Sequence, residues 1–302
     1  MDRHDILTKR SHTLAAIRNF FYERGYLEME TPVALRFPGQ EPYLNPVPVV
    51  LTDDTGKTYN FHLRTSPEYA MKKLLGEGFT KIFNLGPCFR DRESFGGTHE
   101  PQFTMLEWYS TNMDYRRLMD EVDDLLKVAA EPWGRMFALP SQRFSMHGLF
   151  LKQAGIDLDT WQKIPTIEYE SRFFDVFLNK IEPTLPPGPA IVYDYPVQLG
   201  ALARRRVDNP NYVERFELYI DGLEMANAFG ELLDVQEQRA RFTEDQANRT
   251  ARGEMPFPFD EEFLQALPRI PEPTSGIALG VDRLIMSLAQ TRRIEDVITY
   301  PH

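Results

Sequence analysis

Residues 214–231 read "ERFELYIDGLEMANAFGE" and contain three glutamates, Glu217, Glu224 and Glu231, spaced seven residues apart in otherwise apolar, strand-like sequence. Asp221-Gly222 lies between two apolar runs, a pattern that is a strong signal for a β-hairpin with a two-residue turn. The stretch therefore predicts two antiparallel strands that carry acidic side chains.

The predicted turn also decides which acids face each other. It pairs Ile220 with Leu223 and Tyr219 with Glu224, so Glu217 becomes a diagonal neighbour of Glu224 on one face, about 7 Å away between alpha carbons. Two buried carboxylates this close would repel each other unless a cation lay between them, and Mg²⁺ favours carboxylates together with substrate phosphates. The pair predicts a magnesium-nucleotide site; the alternative is that this face is solvated and the acids are ordinary surface residues.

The third acid of the stretch needs a different explanation. Glu231 lies seven residues beyond Glu224, an odd number, so a regular strand would point it to the opposite face. A β-bulge at Gly230, or a kink over residues 227–230, would return Glu231 to the face of the other two acids.

Outside the hairpin, strands cluster in sequence with helices between and after them, without the regular βαβ alternation of a parallel sheet. We predict helices at 5–24, 66–78, 114–130 and 234–252, strands at 26–33, 81–90, 102–111 and 190–196, and a buried strand leading into a helix over 275–290. This order favours an α+β fold with an antiparallel sheet flanked by helices. Residues 1–302 are expected to form one domain, with a mainly helical insertion at about 134–190.

Composition limits the classes of function. With 302 residues, 42% of them hydrophobic, the chain can bury a large core, and a net charge of −11 disfavours an extended nucleic-acid groove. The single cysteine, Cys88, excludes an intrachain disulfide and a cysteine-cluster metal site. The start of the chain has no apolar signal segment, and no apolar run approaches the roughly 18 residues of a membrane span. A cytoplasmic protein without a membrane partner is therefore expected.

Several stretches resemble a known enzyme family. "FFYERGYLEMETPV" (20–33), "FR" (89–90) with "HEPQFTMLEWY" (99–109), and "GIALGVDRL" (276–284) resemble, in this order, motifs 1, 2 and 3 of the class II aminoacyl-tRNA synthetases. "TSPEYAMKKLL" (65–75) and "ELYIDGLEMANAFGELLD" (217–234) resemble the lysine branch of that class, and within it the elongation factor P lysine ligases more closely than lysyl-tRNA synthetase.

The resemblance implies a reaction and its cofactors, ATP and Mg²⁺. Lysine or (R)-β-lysine would be activated with ATP as an aminoacyl-adenylate and then transferred to a lysine side chain of elongation factor P. By resemblance, Arg90 binds the α-phosphate, Arg283 binds the distal phosphates and Phe103 stacks on adenine. Glu217 and Glu224 become the ligands of Mg²⁺.

The same resemblance assigns residues to the amino-acid substrate. Glu231 pairs with its ε-ammonium, Tyr109 flanks that group, and Ser66 and Glu68 hold the amine near the carboxylate. Motif positions also place further residues at the amino acid (Pro67, Asn227 and Ala278) and at the nucleotide (Glu93, His99, Glu100, Met225 and Gly280). Lysyl-tRNA synthetases carry Gly where this chain has Ala278 and the ligases carry Ala, so we predict a preference for β-lysine.

The chain also departs from the family pattern. The motif 2 loop is one residue longer than usual, Thr98 stands where a basic residue is expected, and the family's "HNPEF" reads "HEPQF", with Glu100 in place of Asn. The family's "NGF" reads "NAF", with Ala228 as its second residue.

The resemblance also implies partners. Motif 1 forms a dimer interface in this class, so a two-fold homodimer is expected. Motif 1 begins close to Met1 and leaves no room for an anticodon-binding domain, so elongation factor P rather than tRNA is the expected acceptor. Two alternatives remain open: a truncated synthetase-like enzyme that charges tRNA or another carrier, and a catalytically silent paralogue that acts as a regulatory subunit.

Overall fold

The structure, a computed structural model, describes residues 1–41 and 44–301, and of residue 167 only the backbone. The described strands are β1 (Leu27–Glu28), β2 (Ala34–Leu35), β3 (Pro48–Thr52), β4 (Thr58–Leu63), β5 (Lys81–Phe89), β6 (Gln102–Thr111), β7 (Gln142–Ser145), β8 (Pro189–Pro196), β9 (Tyr212–Ile220), β10 (Leu223–Gly230) and β11 (Thr274–Gly280).

Eight of these strands form one sheet in the order β1-β5-β6-β11-β10-β9-β8-β7. All neighbours in this sheet pair antiparallel except the two edge pairs, β1 with β5 and β7 with β8, which are parallel. The predicted α+β fold on an antiparallel sheet is thus confirmed. A separate sheet with the order β2-β4-β3 covers sequence for which we predicted no strands.

Helices pack against the sheet. They are α1 (Arg3–Glu23), α2 (Glu68–Gly76), α3 (Tyr115–Ala130), α4 (Met146–Leu149), α5 (Thr166–Val176), α6 (Val235–Ala251), α7 (Glu261–Ala266) and α8 (Val281–Ala289). Helix α3 begins where the Asp114 side chain accepts hydrogen bonds from the amides of Arg116 and Arg117. Its apolar face, including Leu118 and Val122, is buried in the main core together with α1 and α8.

The region of the predicted insertion is mainly helical, but it also contributes strand β7 to the large sheet. Its aromatic residues Phe150, Phe173 and Phe177 form a second core that packs against Val192 of β8 and Tyr219 of β9. The inserted residues therefore share a core with the sheet.

The hairpin has the predicted turn and register, with Leu223 paired to Ile220 and Glu224 to Tyr219. Asp221 and Gly222 both have positive φ angles, 52° and 76°, as a type I′ turn requires. The bulge is also present, but its predicted position at residues 227–230 was wrong. It lies between Glu224 and Ala226, so Met225 is the extra residue.

The bulge sorts the side chains that follow it. Asn227 now pairs with Glu217, while Ala226 and Ala228 face the main core. Counting in steps of two from Asn227 places Glu231 on the face that carries Glu217 and Glu224. One extra residue at Met225 therefore brings all three acids to one face.

Candidate active site

A cavity of about 440 Å³ lies over the central strands β6, β11 and β10. Most of the residues predicted for the site line it: Ser66, Glu68, Arg90, Glu93, His99, Glu100, Phe103, Tyr109, Glu224, Met225, Asn227, Glu231, Ala278, Gly280 and Arg283. Pro67 and Glu217 are not among the described lining residues; Pro67 is the N-cap of α2, and Glu217 lies beside the cavity on β9.

Strand register explains how the floor of the cavity is built. Glu107, Ala278, Asn227 and Glu217 are successive pairing partners across β6, β11, β10 and β9. Directly paired residues on one face have their Cβ atoms about 5 Å apart. The methyl group of Ala278 therefore lies between the side chains of Glu107 and Asn227.

Gly276 forms the next position of the floor, where it pairs with Tyr109. A Cβ atom at Gly276 would collide with the Tyr109 ring and with Oε1 of Glu231. Glycine thus allows the aromatic ring and the carboxylate to approach the strand closely.

Glu231, expected to bind the substrate's ε-ammonium, already has a cation beside one of its oxygens. Lys72 Nζ lies 2.5 Å from Glu231 Oε2 and 2.5 Å from Glu68 Oε1. Oε1 of Glu231 is buried and has no hydrogen-bond partner in the described part of the chain. Burial raises the pKa of Glu231 to about 7, and Lys72 opposes that rise. The carboxylate therefore keeps one oxygen for a ligand.

Sequence reasoning missed Glu107, which lies at the centre of this end of the cavity and is 1% exposed. Its carboxylate accepts hydrogen bonds from the Ser66 hydroxyl at 2.5 Å and the Tyr109 hydroxyl at 2.8 Å. Burial, together with the charge of Glu68, raises the pKa of Glu107 to about 8. The two-residue period of a strand would have found it, because Glu107 shares a face with Tyr109.

Glu217 is neutralised within the fold. Arg215 donates to its Oε1 at 2.5 Å, and the hydroxyls of Tyr195 and Tyr219 donate to its Oε2 at 2.5 Å each. Glu224, the other acid of the predicted magnesium pair, lines the cavity. Burial and the nearby charge of Glu217 raise the pKa of Glu224 to about 7. Glu224 is thus the acid placed to accept a cation. The pairing of Arg215 with Glu217 was not predicted from the sequence.

Arg283 connects the motif 2 loop to the hairpin. Its guanidinium donates to the Glu224 carbonyl oxygen at 2.9 Å and lies 2.9 Å from Nε2 of His99. Burial and the charge of Arg283 lower the pKa of His99, so a neutral imidazole that accepts this hydrogen bond is favoured.

Aromatic and basic groups meet at the same end of the cavity. The Arg90 guanidinium lies 5.0 Å from the centre of the Phe103 ring. Together with Arg283, this places two permanent cations and an aromatic face in one region, a combination that suits a nucleobase and its phosphates. Glu100, which replaces the family's Asn, is buried, and neither of its carboxylate oxygens has a hydrogen-bond partner within the residues described.

This arrangement can be compared with known proteins. A family model of the class II tRNA synthetases (D, K and N) matches residues 2–302. The chain belongs to this family.

Its curated relatives narrow the comparison. Proteins named "Elongation factor P--(R)-beta-lysine ligase" are similar to this class II chain over nearly its full length. The one from Pectobacterium atrosepticum is 38% identical, with 97% of this chain and 94% of the relative covered, and the one from Proteus mirabilis is 37% identical, with 98% and 94% covered. The relative from Hamiltonella defensa is 34% identical with the same coverage, 98% and 94%. Within the described residues of this class II chain, no helix is long and apolar enough to cross a membrane.

Proposed function

We propose that this chain is an ATP-dependent ligase that activates lysine or (R)-β-lysine as an aminoacyl-adenylate and transfers it to a lysine side chain of elongation factor P. The names of the relatives and the class II family support this activity. The observation that carries it is the free, buried Oε1 of Glu231 at one end of a cavity whose other end holds Arg90 and Arg283. Such a cavity suits a cationic side chain at one end and a polyphosphate at the other.

The amino-acid end supports a diamino acid. An ammonium group can leave water at low cost only against a partner charge, and Oε1 of Glu231 offers that charge beside Tyr109 and Glu107. Ser66 and Glu68 lie at the start of α2 and line the same cavity, where they can hold the amine near the reacting carboxylate.

The nucleotide end supports ATP with Mg²⁺. Glu224 would hold the ion, with Glu217 beside it; burial and the charge of Glu217 raise the pKa of Glu224, while Arg283, Arg215 and Arg90 oppose that rise. The metal would neutralise charge on the phosphates during the reaction. Arg90 and Arg283 would bind phosphate oxygens with their planar guanidinium groups.

The transfer step needs a neutral acceptor amine. A free lysine has a pKa of about 10.4, so one proton must leave the ε-ammonium before the amine can attack the acyl carbon. The amine then forms an amide bond with the acyl carbon as the acyl–phosphate bond breaks, so AMP leaves and the nitrogen releases a second proton. Because the proposed acceptor is a translation factor, the proposed place of action is the cytoplasm.

ATP–pyrophosphate exchange with a panel of α- and β-amino acids tests the activation step. We expect exchange with lysine and β-lysine, followed by transfer of the labelled amino acid to elongation factor P and no transfer when its acceptor lysine is replaced. Absence of exchange with every amino acid would contradict the enzyme proposal. Labelling of tRNA instead of elongation factor P would favour the alternative of a tRNA-charging enzyme.

We also propose a two-fold homodimer. In the motif 1 stretch, Tyr22 at the end of α1 and Leu27 of β1 are 50% and 54% exposed, which supports a contact surface there. Light scattering at micromolar concentration should give twice the chain mass, and a strictly monomeric mass would refute this assembly.

A further inference from the structure

Lys72 is a fully buried lysine outside the set of residues discussed so far as substrate ligands. Its side chain is 0% exposed, and charged lysines are almost never fully buried unless they are paired. Both of its partners, Glu68 and Glu231, line the cavity, whereas Lys72 itself is not among the described lining residues. The lysine therefore contacts the two acids on the side that faces away from the cavity.

One ammonium group links two elements of the fold here. Glu68 is the first residue of α2 and lies one helical turn before Lys72, on the same helix face. Glu231 directly follows the last residue of β10, a central strand of the large sheet. Because Nζ lies 2.5 Å from an oxygen of each acid, the two carboxylates are held in a fixed relation to each other.

We propose that Lys72 is a positioning residue for the amino-acid substrate, which keeps Glu68 and Glu231 ionised and oriented so that one ion-paired unit receives both ammonium groups of a diamino acid. This inference rests on the proposed function, because that function assigns Glu68 to one amine and Glu231 to the other.

The charges around Glu231 explain why the lysine is needed. Helix α2 contributes Lys72 and Glu68, β6 contributes Tyr109 and the nearby Glu107, and the segment before β9 contributes Arg204. Arg204 is already paired with Glu214 at 2.7 Å.

Without Lys72, the acids Glu68, Glu107 and Glu231, together with Glu41 from the segment before β3, would remain in one region with little compensation. Buried acids without a counter-charge take up protons, and a neutral carboxyl group cannot form an ion pair with an ammonium group. Binding of a diamino acid would then require the release of protons, and it would improve as the pH rises.

Two variants, each of which replaces one lysine by an uncharged residue, separate this role from the general effect of losing a lysine. Lys72→Met removes the central ammonium, and Lys73→Met removes the adjacent lysine, which pairs with Asp260 and Glu262. Exchange kinetics between pH 6 and pH 9 should be measured for both variants and the wild type, with separate KM values for lysine, β-lysine and ATP.

For Lys72→Met at pH 7, we expect KM for the diamino acid to rise at least about 10-fold and to fall again as the pH rises. KM for ATP should stay within about twofold of the wild type, and Lys73→Met should leave both KM values unchanged. A Lys72→Met enzyme with the wild-type KM for the amino acid across this pH range would overturn the inference. Equal increases in KM for ATP and the amino acid would also overturn it, because they indicate a general structural role.

The wild-type enzyme provides the two remaining tests. Exchange by the wild type with lysine or β-lysine separates a failure of this inference from a failure of the proposed function. If circular dichroism finds Lys72→Met unfolded, a ¹³C titration of wild-type Glu231, assigned with Glu231→Gln, replaces the kinetics. We expect an ionised Glu231 carboxylate at pH 8; a protonated one would overturn the inference.

Discussion

The two ends of the cavity both contain buried glutamates, but the fold balances their charges differently. At the nucleotide end, Arg215 forms an ion pair with Glu217, and Glu224 has no ion-pair partner among the residues the structure describes. At the amino-acid end, Lys72 is shared between Glu68 and Glu231, so neither acid is left without a cation.

This difference matches the charges of the two proposed ligands. A divalent ion that arrives with a nucleotide needs an acid that is not already used in an ion pair. Glu224 is such an acid. A single ammonium group brings less charge, so the acids that receive it are partly compensated in advance and keep one free oxygen. The position of the resident cation thus fits the kind of ligand that we propose for each end.

The largest effect should come from the acid without a resident cation. Glu224→Gln removes the negative charge that would hold Mg²⁺, so ATP–pyrophosphate exchange should fall on the order of 10³-fold. The melting temperature should change little, because Glu224 has no side-chain ion pair in the described structure to lose. Glu237→Gln, on α6, is the matched control and should retain exchange. Full activity of Glu224→Gln would remove the contrast between the two ends.

A smaller loss is expected for the shared acid. Glu231→Gln leaves Lys72 paired with Glu68 but removes the charge that would receive the substrate's ammonium. KM for the diamino acid should rise about 10²-fold, with KM for ATP unchanged, in exchange assays. Norleucine lacks the ε-ammonium. The variant should therefore show a smaller preference for lysine over norleucine than the wild type does. If Glu231→Gln keeps the wild-type preference for lysine over norleucine, Glu231 does not bind the ammonium group.

Substrate choice at the amino-acid end should change with the floor of the cavity. Ala278→Gly removes a methyl group between Glu107 and Asn227, where α- and β-lysine place their amine at different distances from the carboxylate. The kcat/KM ratio of β-lysine to α-lysine should fall by about 10- to 200-fold, with ATP binding unchanged. An unchanged ratio would exclude Ala278 as the residue that selects the isomer.

The smallest effect concerns stability. The pKa of Glu107 is raised from 4.5 to about 8 in the folded protein, mainly by burial. As the pH rises through this window, the unfolded chain has already lost the proton that the folded protein still holds, so folding is progressively disfavoured. Glu107→Gln lacks this penalty.

The melting temperature of Glu107→Gln relative to the wild type should therefore increase between pH 5 and pH 8, on the order of a few degrees, in thermal denaturation. A difference that does not depend on pH would mean that the pKa of Glu107 is not raised. Exchange activity is measured in parallel, since Glu107 lines the proposed substrate site.

Much of the fold could be predicted because local patterns decide it. The Asp221-Gly222 dipeptide sets the turn and register of the hairpin, and the apolar period and Asp114 cap define α3. The position of the bulge could not be predicted, because the odd spacing requires one extra residue but does not say which. Strands β2 and β3 were missed because they lie in sequence with prolines, whereas the alternating Tyr59, Phe61 and Leu63 of β4 could have identified that strand.

The site was predicted less completely than the fold. Motif positions identified most of the lining residues, but they gave no information about pairs formed between distant parts of the chain. Lys72 lies on a short helix, where a lysine is usually exposed, and only the fold brings Glu231 against it. Arg215, in contrast, could have been found from the sequence, because it stands two residues before Glu217 on one strand and therefore shares its face.

The bulge at Met225 makes the length of strand β10 as important as its composition. Deleting this one residue would remove the bulge: Asn227 would then follow Glu224 by two positions, and a regular strand would keep Asn227 and Glu231 on the face of Glu224. Deleting Phe229 instead, with the bulge still at Met225, would place Glu231 an odd number of positions after Asn227 and turn Glu231 toward the apolar core. An alignment would count both deletions as a single gap, whereas the geometry of the sheet makes the second far more damaging to the position of Glu231 than the first.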